Sequence, residues 1–359
     1  LNVAEVDKDR LIAMMVGREM TDIYNIRHFD PGEELLRVEN FSDSKHFHNI
    51  SFKLHRGEIL GFVGLVGAGR SEVMRALTGV EKRLTGDVYI QDRKVNIKNP
   101  TDALHHGIGF LTEDRRADGC ALGLSIKQNI NMSSLEMISK MGFINLRKEA
   151  RRAEEFSKNV NVKTPSIEQL VQNLSGGNQQ KVVIAKLLCR DPDILIFDEP
   201  TVGLDPREIK EIRNLIRALG ESHTVILSSH ILSEIQAVCG RVLVINDGYL
   251  VKDSPTDELL NISASSDRYA IRLAAPADES AAAIRTLDGV VNVEFMGVFE
   301  KGTADIMAQT EKGADIRRAL FELCAKKNWY ILMVTPLGVS LEDVFISLVS
   351  GDAKAEAKR

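Results

Sequence analysis

The sequence predicts an α/β fold, in which helices cover a parallel sheet and a helical subdomain is inserted, followed by a small α+β domain. Three observations predict it. "EILGFVG" runs straight into the glycine-rich "GLVGAGRS" and then "RSEVMRALTG", which reads as strand, loop and helix. Apolar strands and amphipathic helices alternate between residues 193 and 246. The segment after residue 266 reads as β-α-β-β-α-β.

The first of these elements is the phosphate-binding pattern G-x-x-x-x-G-K-[ST], met at every fixed position but one. Gly64, Gly67 and Gly69 let backbone N–H groups approach phosphates, and Ser71 offers a hydroxyl to Mg²⁺. Arg70 stands where the pattern has lysine, and it supplies positive charge. The alternative is a glycine-rich turn without a ligand.

The apolar run "ILIFDEP" supplies the second chemical element. It predicts a strand that delivers Asp198 to the magnesium side of the site and places Glu199 beside it to activate water. Read alone, the run is equally a buried strand that ends in an acidic turn. Its occurrence behind a phosphate loop favours the catalytic interpretation.

The stretch "NLSGGNQQK" is the third element, and here the sequence resembles the ABC ATPase family. Ser175, Gly176 and Gly177 match the signature motif of that family, and a serine with N–H groups at a helix start suits an anion. The resemblance implies that the signature of one subunit closes over ATP held by another, and hence a dimer. It also implies that Asp205 lies in the D-loop and that His230 is the switch histidine facing the γ-phosphate.

The resemblance covers roughly residues 34–262 and changes character along the chain. "GLVGAGRSE", "EDRR" and "NLSGGNQQK" resemble the second nucleotide-binding half of bacterial sugar importers of the ribose and galactoside type. From "VGLDPREIK" onward the chain resembles drug or polysaccharide exporter ATPases, whose C-terminal extension ends in a "SLEDVF" helix. A natural mosaic, an engineered fusion and an assembly artefact all remain open as origins.

Two departures from the family pattern indicate a weakened site. Arg70 is bulkier and planar where lysine is expected, and Glu113 stands where the family's Q-loop glutamine contacts Mg²⁺ and the attacking water. The usual aromatic at the adenine position is missing, and Phe41 or Phe47 is the candidate substitute.

The predicted domains follow from these changes of character. An N-terminal segment and linker, the tail of a preceding cassette, precede the nucleotide-binding domain with its helical subdomain. A ferredoxin-like accessory domain and a disordered polar tail follow. The predicted bounds are 1–33, 34–262 (helical part about 120–172), 266–350 and 351–359.

Bulk properties restrict the class further. A net charge of -5 argues against a dedicated nucleic-acid binder, and the longest apolar runs are shorter than the roughly 18 residues that span a bilayer. Four separated cysteines indicate buried thiols rather than a zinc site or disulfides. The first residues lack an initiator Met and a signal-peptide pattern, so we expect a cytosolic chain that is truncated at its front.

Taken with the resemblance, the sequence predicts an ATPase that uses ATP and Mg²⁺ in an ABC transporter, with carbohydrate import favoured over export. The implied partners are membrane permease subunits, a second ABC cassette and, through the permease, an extracytoplasmic sugar-binding protein, with no nucleic acid. The implied location is peripheral, on the cytoplasmic face of the membrane. Three alternatives stay open: the ATPase of a drug or polysaccharide exporter, a regulatory half impaired in hydrolysis, and a soluble ABC ATPase of translation or DNA repair.

Overall fold

The computed structural model describes residues 32–262, 266–298, 300, 302–311 and 313–337. Most of the predicted N-terminal segment, the final helix at 341–350 and the polar tail lie outside these residues. The chain divides into two compact units between Thr256 and Asp257, ahead of the predicted boundary at 262.

The first unit is built on a six-stranded sheet in the order β12-β11-β3-β10-β9-β6. Five strands are parallel, and β12 pairs antiparallel with β11 at one edge. Strands β3, β9 and β10 are buried along their whole length, as expected of apolar runs covered on both faces. The sequence reasoning missed only β12 in this sheet. The strands are β3 (Ile59–Val63), β6 (Ile108–Leu111), β9 (Ile194–Asp198), β10 (Thr224–Ser229), β11 (Arg241–Asn246) and β12 (Tyr249–Pro255).

A second, antiparallel sheet of the first unit has the order β2-β1-β4-β5. One continuous hydrophobic core contains side chains from both sheets and from the first helix, including Phe52, Phe62 and Met74. The strands are β1 (Glu34–Ser42), β2 (Ile50–His55), β4 (Thr85–Ile90) and β5 (Arg93–Val95).

Helices connect the parallel strands in the predicted alternation. The helix before β10 buries Ile212 and Ile216 on its predicted apolar face, and Gly220 is its C-cap. These helices are α1 (Arg70–Leu77), α2 (Pro100–His105), α6 (Gly176–Leu188), α7 (Pro206–Leu219) and α8 (Leu232–Val238).

The inserted region at 120–172 is mainly helical, with α3 (Ile126–Asn131), α4 (Leu135–Ile138) and α5 (Leu146–Asn159). The expectation that strands vanish here was wrong, because β7 (Ser139–Lys140) and β8 (Phe143–Ile144) form a small hairpin. Met141 and Gly142, with φ of 53° and 84°, make the two-residue turn of positive φ that such a hairpin needs. A run this short leaves no periodicity to read.

The second unit begins within α9 (Thr256–Ile262) and carries one four-stranded antiparallel sheet, in the order β14-β15-β13-β16. Its elements follow the predicted β-α-β-β-α-β order. Both helices pack on one face, where Ile271, Ile306 and Leu320 form the centre of the core. The elements are β13 (Ser266–Ala274), α10 (Ala277–Ile284), β14 (Val290–Gly297), β15 (Ala304–Glu311), α11 (Arg317–Lys327) and β16 (Tyr330–Leu337).

All four cysteines are buried free thiols, as the sequence predicts. Within the described ranges, His, Cys, Asp and Glu form no group of three or more that could hold a metal ion. Nor does any helix in that part of the chain have the length and apolar character needed to cross a bilayer.

Candidate nucleotide site

The phosphate loop lies between β3 and α1, and its glycines are required by close contacts. A Cβ at Gly64 would lie 2.4 Å from the Ile245 carbonyl oxygen, and one at Gly69 would lie 2.5 Å from that of His46. Gly69 also has φ of 97°, which side chains rarely adopt. Only a hydrogen atom fits on these two α-carbons. Glycine is therefore required at both positions for the loop to reach the start of α1.

A cavity of about 230 Å³ opens beside this loop. It brings together residues that lie far apart in the sequence, because parallel strands deliver their carboxyl ends to the same edge of the sheet. Its walls are Leu65, Val66, Gly67, Ala68, Gly69, Arg70, Ser71, Glu72, Arg75, Glu113, Glu199 and His230.

Asp198 lies at the end of β9 and is fully buried. Ser71 Oγ donates a hydrogen bond to Asp198 Oδ1 at 3.1 Å. Burial raises the pKa of the Asp198 carboxyl, although the nearby Ser71 and Ser228 hydroxyls and the charge of Arg70 oppose the shift. Its second oxygen, Oδ2, has no hydrogen-bond partner among the residues that the structure describes. A buried carboxylate oxygen without a partner, beside a hydroxyl, is a donor set that fits a hard divalent cation.

Glu199 follows Asp198 and adopts φ of 47°, a left-handed conformation that is costly for a non-glycine residue. Its Oε1 accepts hydrogen bonds from Arg70 Nη2 at 2.8 Å and from the His230 backbone N–H at 2.9 Å. Its Oε2 accepts one from Ser229 Oγ at 3.4 Å and lies 2.9 Å from His230 Nδ1. The carboxylate is thus fixed at the cavity wall by contacts to both oxygens.

His230 follows strand β10, as predicted, and its side chain is 38% exposed. Since an ionised carboxylate only accepts hydrogen bonds, the contact to Glu199 assigns a proton to Nδ1. Nε2 is then the imidazole nitrogen left to face a ligand in the cavity that His230 lines.

The guanidinium of Arg70 was expected to supply charge to phosphates, and the structure turns it to the carboxylate. Besides the bond to Glu199, Nη1 donates to Ser228 Oγ at 3.3 Å. Both members of the Arg70–Glu199 ion pair are buried. A lysine ammonium is a compact point charge without this planar fork, so arginine and lysine do not present their donors in the same way at this position.

The signature residues lie apart from the phosphate loop. A separate cavity of about 340 Å³ is lined by Ser175, Gly177 and Asp205 among others, and it shares no lining residue with the first. Ser175 is the N-cap of α6, and its Oγ accepts from Asn178 Nδ2 at 3.0 Å. Asp205 is the N-cap of α7 and accepts from the Arg207 and Glu208 backbone N–H groups.

Charges of both signs surround this second cavity. Lys163 Nζ and Lys181 Nζ each lie 2.7 Å from a different oxygen of Glu211. Their hydrogen bonds lower the pKa of the Glu211 carboxyl to about 2. The remaining charged lining residues are Asp205, Arg207 and Glu208, so acidic and basic groups balance.

The prediction that Phe41 or Phe47 stacks on the adenine ring of the nucleotide was wrong. Phe41 and Phe47 are both fully buried, and their rings stack on each other with centroids 5.4 Å apart. They belong to the core shared by the two sheets, so no ring face is left for a ligand.

Sequence reasoning missed several groups behind the site. Ser228 contacts Arg70, and Thr201 Oγ1 donates to the buried Glu234 at 2.8 Å. Arg115, inside the quoted "EDRR", donates to backbone carbonyls after Glu199. Ser228 lies two residues before His230 in "LSSH", so its position in the sequence was the available signal. Glu234 and Arg115 give no signal until their contacts are known.

Comparison with known proteins agrees with this geometry. Residues 47–202 match the family model described as ABC transporter, a range that includes the phosphate loop, the signature and Glu199. The chain contains an ABC transporter domain. The ribose import ATP-binding protein of Clostridium tetani is 40% identical over 262 residues, which cover 72% of this chain and 52% of that protein. The xylose import ATP-binding protein of Thermoanaerobacter pseudethanolicus is 41% identical over 260 residues, covering 70% of this chain and 52% of that protein.

The chain thus spans about half the length of the curated relatives it matches. Among solved structures, a dimeric ATP-binding cassette in a post-hydrolysis state with ADP and phosphate is similar, with a TM-score of 0.54 at 22% identity. That similarity covers 62% of this chain and 99% of the cassette. The ABC transporter domain therefore has the fold of an ABC ATPase cassette. The predicted similarity to sugar-import ATPases is confirmed, and the exporter-like character of the later part stays a prediction.

Proposed function

We propose that this chain is the ATP-binding and ATP-hydrolysing subunit of an ABC transporter that imports a sugar. The observation that carries the proposal is the single cavity in which the phosphate loop meets Glu113, Glu199 and His230, with Asp198 behind Ser71. The ribose and xylose import relatives support sugar as the cargo class.

In this proposal the backbone N–H groups of the loop and Ser71 bind the phosphates of ATP. Ser71 and Asp198 would hold Mg²⁺, which neutralises phosphate charge when bound. Asp198 is buried, and its Oδ2 lacks a partner among the residues described, so such a cation would offset the cost of its charge.

Hydrolysis then needs a base and a group that orients the terminal phosphate. A water oxygen attacks the γ-phosphorus, the bond from that phosphorus to the bridging oxygen of ADP breaks, and the water proton passes to Glu199. His230, held through Nδ1, presents Nε2 toward the phosphate. Glu113 lines the same cavity and is an acidic neighbour of the phosphates.

The proposed partners follow from the second cavity and the relatives. Ser175, Gly176, Gly177 and Asp205 would close over ATP held by a second cassette, a copy of this chain or a heterologous half. Membrane permease subunits, and through them an extracytoplasmic sugar-binding protein, complete the proposed assembly on the cytoplasmic face of the membrane, without nucleic acid. We propose that the second unit is a ferredoxin-like module that regulates the ATPase or mediates its dimerisation.

A second candidate function is a regulatory half that binds ATP and scarcely hydrolyses it. The specific observation in its favour is the buried ion pair between Arg70 and Glu199. Arg70 Nη2 occupies Glu199 Oε1 at 2.8 Å, so a water molecule would have to compete with the guanidinium for that oxygen.

Steady-state Mg-ATP hydrolysis across protein concentration tests the two candidates, with Glu199→Gln beside the wild type and Glu72→Gln as the matched control. Glu72 lines the same cavity but adjoins Ser71 on α1. Turnover per chain that rises with concentration, collapses in Glu199→Gln and survives in Glu72→Gln supports hydrolysis. ATP binding without turnover in any variant supports the regulatory half, and absence of ATP binding refutes both.

A further inference from the structure

Arg115 joins two parts of the first unit that are distant in sequence. It is the first residue of a short π-helix (Arg115–Gly119) that follows the Asp114 N-cap. Its Nη1 donates to the Val202 carbonyl at 2.8 Å, and its Nη2 donates to the Gly203 carbonyl at 3.3 Å. Two successive carbonyls of the loop between β9 and α7 are thus bound by one guanidinium.

The same guanidinium lies against the start of α6. A Cβ at Gly176 would lie 2.9 Å from Arg115 Nη2 and 3.0 Å from Leu204 Cδ2. A side chain at Gly176 would therefore displace the Arg115 guanidinium or the Leu204 side chain. Gly203 adopts φ of 70°, and its own Cβ position lies 3.7 Å from both terminal nitrogens.

This contact fixes two helix starts that face one cavity. Ser175 precedes Gly176 and caps α6, while Asp205 follows the bound carbonyls and caps α7. Both residues line the cavity of about 340 Å³. The distance between the Ser175 and Asp205 side-chain oxygens depends on how the loop between β9 and α7 packs against α6. Arg115 lies at this contact.

We infer that Arg115 is a positioning residue that holds the loop Thr201–Asp205 against the start of α6, and so sets the geometry of the Ser175–Asp205 cavity. The planar fork suits this task, because it presents two terminal nitrogens to two carbonyls in a fixed geometry, whereas a lysine ammonium is a single point charge on a flexible stem. The Nε atom is buried without a partner in the described part of the chain, so the two terminal nitrogens hold the group in place. Its relevance to catalysis rests on the proposed hydrolysis.

Glu113 lies two residues before Arg115 and lines the phosphate-loop cavity. One short segment therefore lines the first cavity through Glu113 and, through Arg115, binds the loop that leads to Asp205 in the second cavity. The loop it holds begins two residues after Glu199. Release of Arg115 is expected to affect turnover more than nucleotide affinity, because no atom of Arg115 lines the phosphate-loop cavity.

Amide hydrogen exchange of the full chain without nucleotide tests the inference directly. Arg115→Met is compared with Arg115→Lys and with the control Arg116→Met, whose arginine is an exposed neighbour in the same π-helix. We expect the Val202 and Leu204 amides, which bond to the Glu199 and Thr201 carbonyls, to exchange about tenfold faster in Arg115→Met. Arg115→Lys should be intermediate, and Arg116→Met should match the wild type.

Kinetics supply the second readout. We expect kcat to fall about tenfold in Arg115→Met, while the KM for ATP stays unchanged.

Unchanged amide exchange in Arg115→Met overturns the inference whatever the ATPase result. A rise in KM with constant kcat would also overturn it, because it would place Arg115 in nucleotide binding. If the wild type binds no ATP, the proposed function fails while the exchange measurement still decides the inference. Should Arg115→Met not fold, Arg115→Lys carries the same comparison.

Discussion

Arg70 Nη2 lies 2.8 Å from Glu199 Oε1, and each side chain is only 5% exposed. Arg70 belongs to the phosphate loop, and Glu199 is the proposed base. The residue at the lysine position of the loop is therefore paired with the group that is proposed to accept a proton. In the proposed function, a guanidinium held on Glu199 is turned away from the phosphates, so this pair would restrain hydrolysis.

Replacing Arg70 with lysine should raise hydrolysis. The ammonium is a compact point charge that cannot contact Glu199 and Ser228 as the guanidinium does, so it is available to the phosphates. We expect kcat to increase roughly tenfold, which corresponds to about 1.4 kcal/mol of barrier. Steady-state Mg-ATP hydrolysis measures it.

The matched control for this change is Arg75→Lys. Arg75 lines the same cavity but lies 3.3 Å from Glu81 rather than from Glu199. Its replacement should leave kcat within a factor of about two. A fall in kcat in Arg70→Lys would show that the guanidinium assists turnover, contrary to the interpretation of the pair as restraining.

The fold was predictable where a pattern repeats along a segment. The apolar runs at Ile194–Asp198 and Thr224–Ser229 predicted the parallel strands, and the apolar stripe of Pro206–Leu219 predicted its helix. Strand β12 (Tyr249–Pro255) was missed because "YLVKDSP" is only half apolar and pairs at an edge. An edge strand is stabilised by pairing with its neighbouring strand, and this pairing cannot be read from the local sequence.

Site residues were predictable by type and spacing but not by contact. The loop, Glu199 and His230 do meet in one cavity, as the motif order indicates. The direction of Arg70 was not predictable, because a long side chain chooses among partners that only the fold brings near. The burial of Phe41 was missed for the same reason, since an aromatic near a binding loop and an aromatic in a core read alike.

Replacing Glu113 with glutamine should tighten ATP binding. The carboxylate of Glu113 is exposed on the cavity that is proposed to receive the phosphates, so it would repel them across solvent. We expect the KM for ATP to fall roughly threefold, the size typical of an exposed charge. The control is Glu81→Gln, which removes an acid that pairs with Arg75 but is not part of the cavity lining. An equal effect in both variants would attribute the change to overall charge.

Phe47 should matter to stability and not to nucleotide affinity. Its ring is fully buried against Phe41, so Phe47→Ala leaves a cavity in the core and should cost about 3–5 kcal/mol of unfolding free energy. Phe47→Leu should cost less. Chemical denaturation measures the loss, and fluorescent-nucleotide binding to the folded Phe47→Leu variant should give the wild-type Kd. A large rise in Kd with little change in stability would restore an adenine contact.

Asp198 should make the nucleotide-free protein less stable as pH rises. Burial raises the pKa of this carboxyl on folding, so the folded chain keeps a proton that the unfolded chain releases. The stabilising contribution is full below the unfolded value of about 3.9 and is lost as pH rises through the higher folded pKa. Asp198→Asn, which never ionises, should therefore raise Tm by a few degrees at pH 8 in EDTA, and the gain should shrink toward pH 4.

The control is Asp191→Asn, which removes an exposed carboxylate. Asp191 has a left-handed backbone conformation, and asparagine tolerates this conformation. A pH-independent difference for Asp198→Asn would mean that the carboxyl ionises in the folded protein as easily as in the unfolded chain.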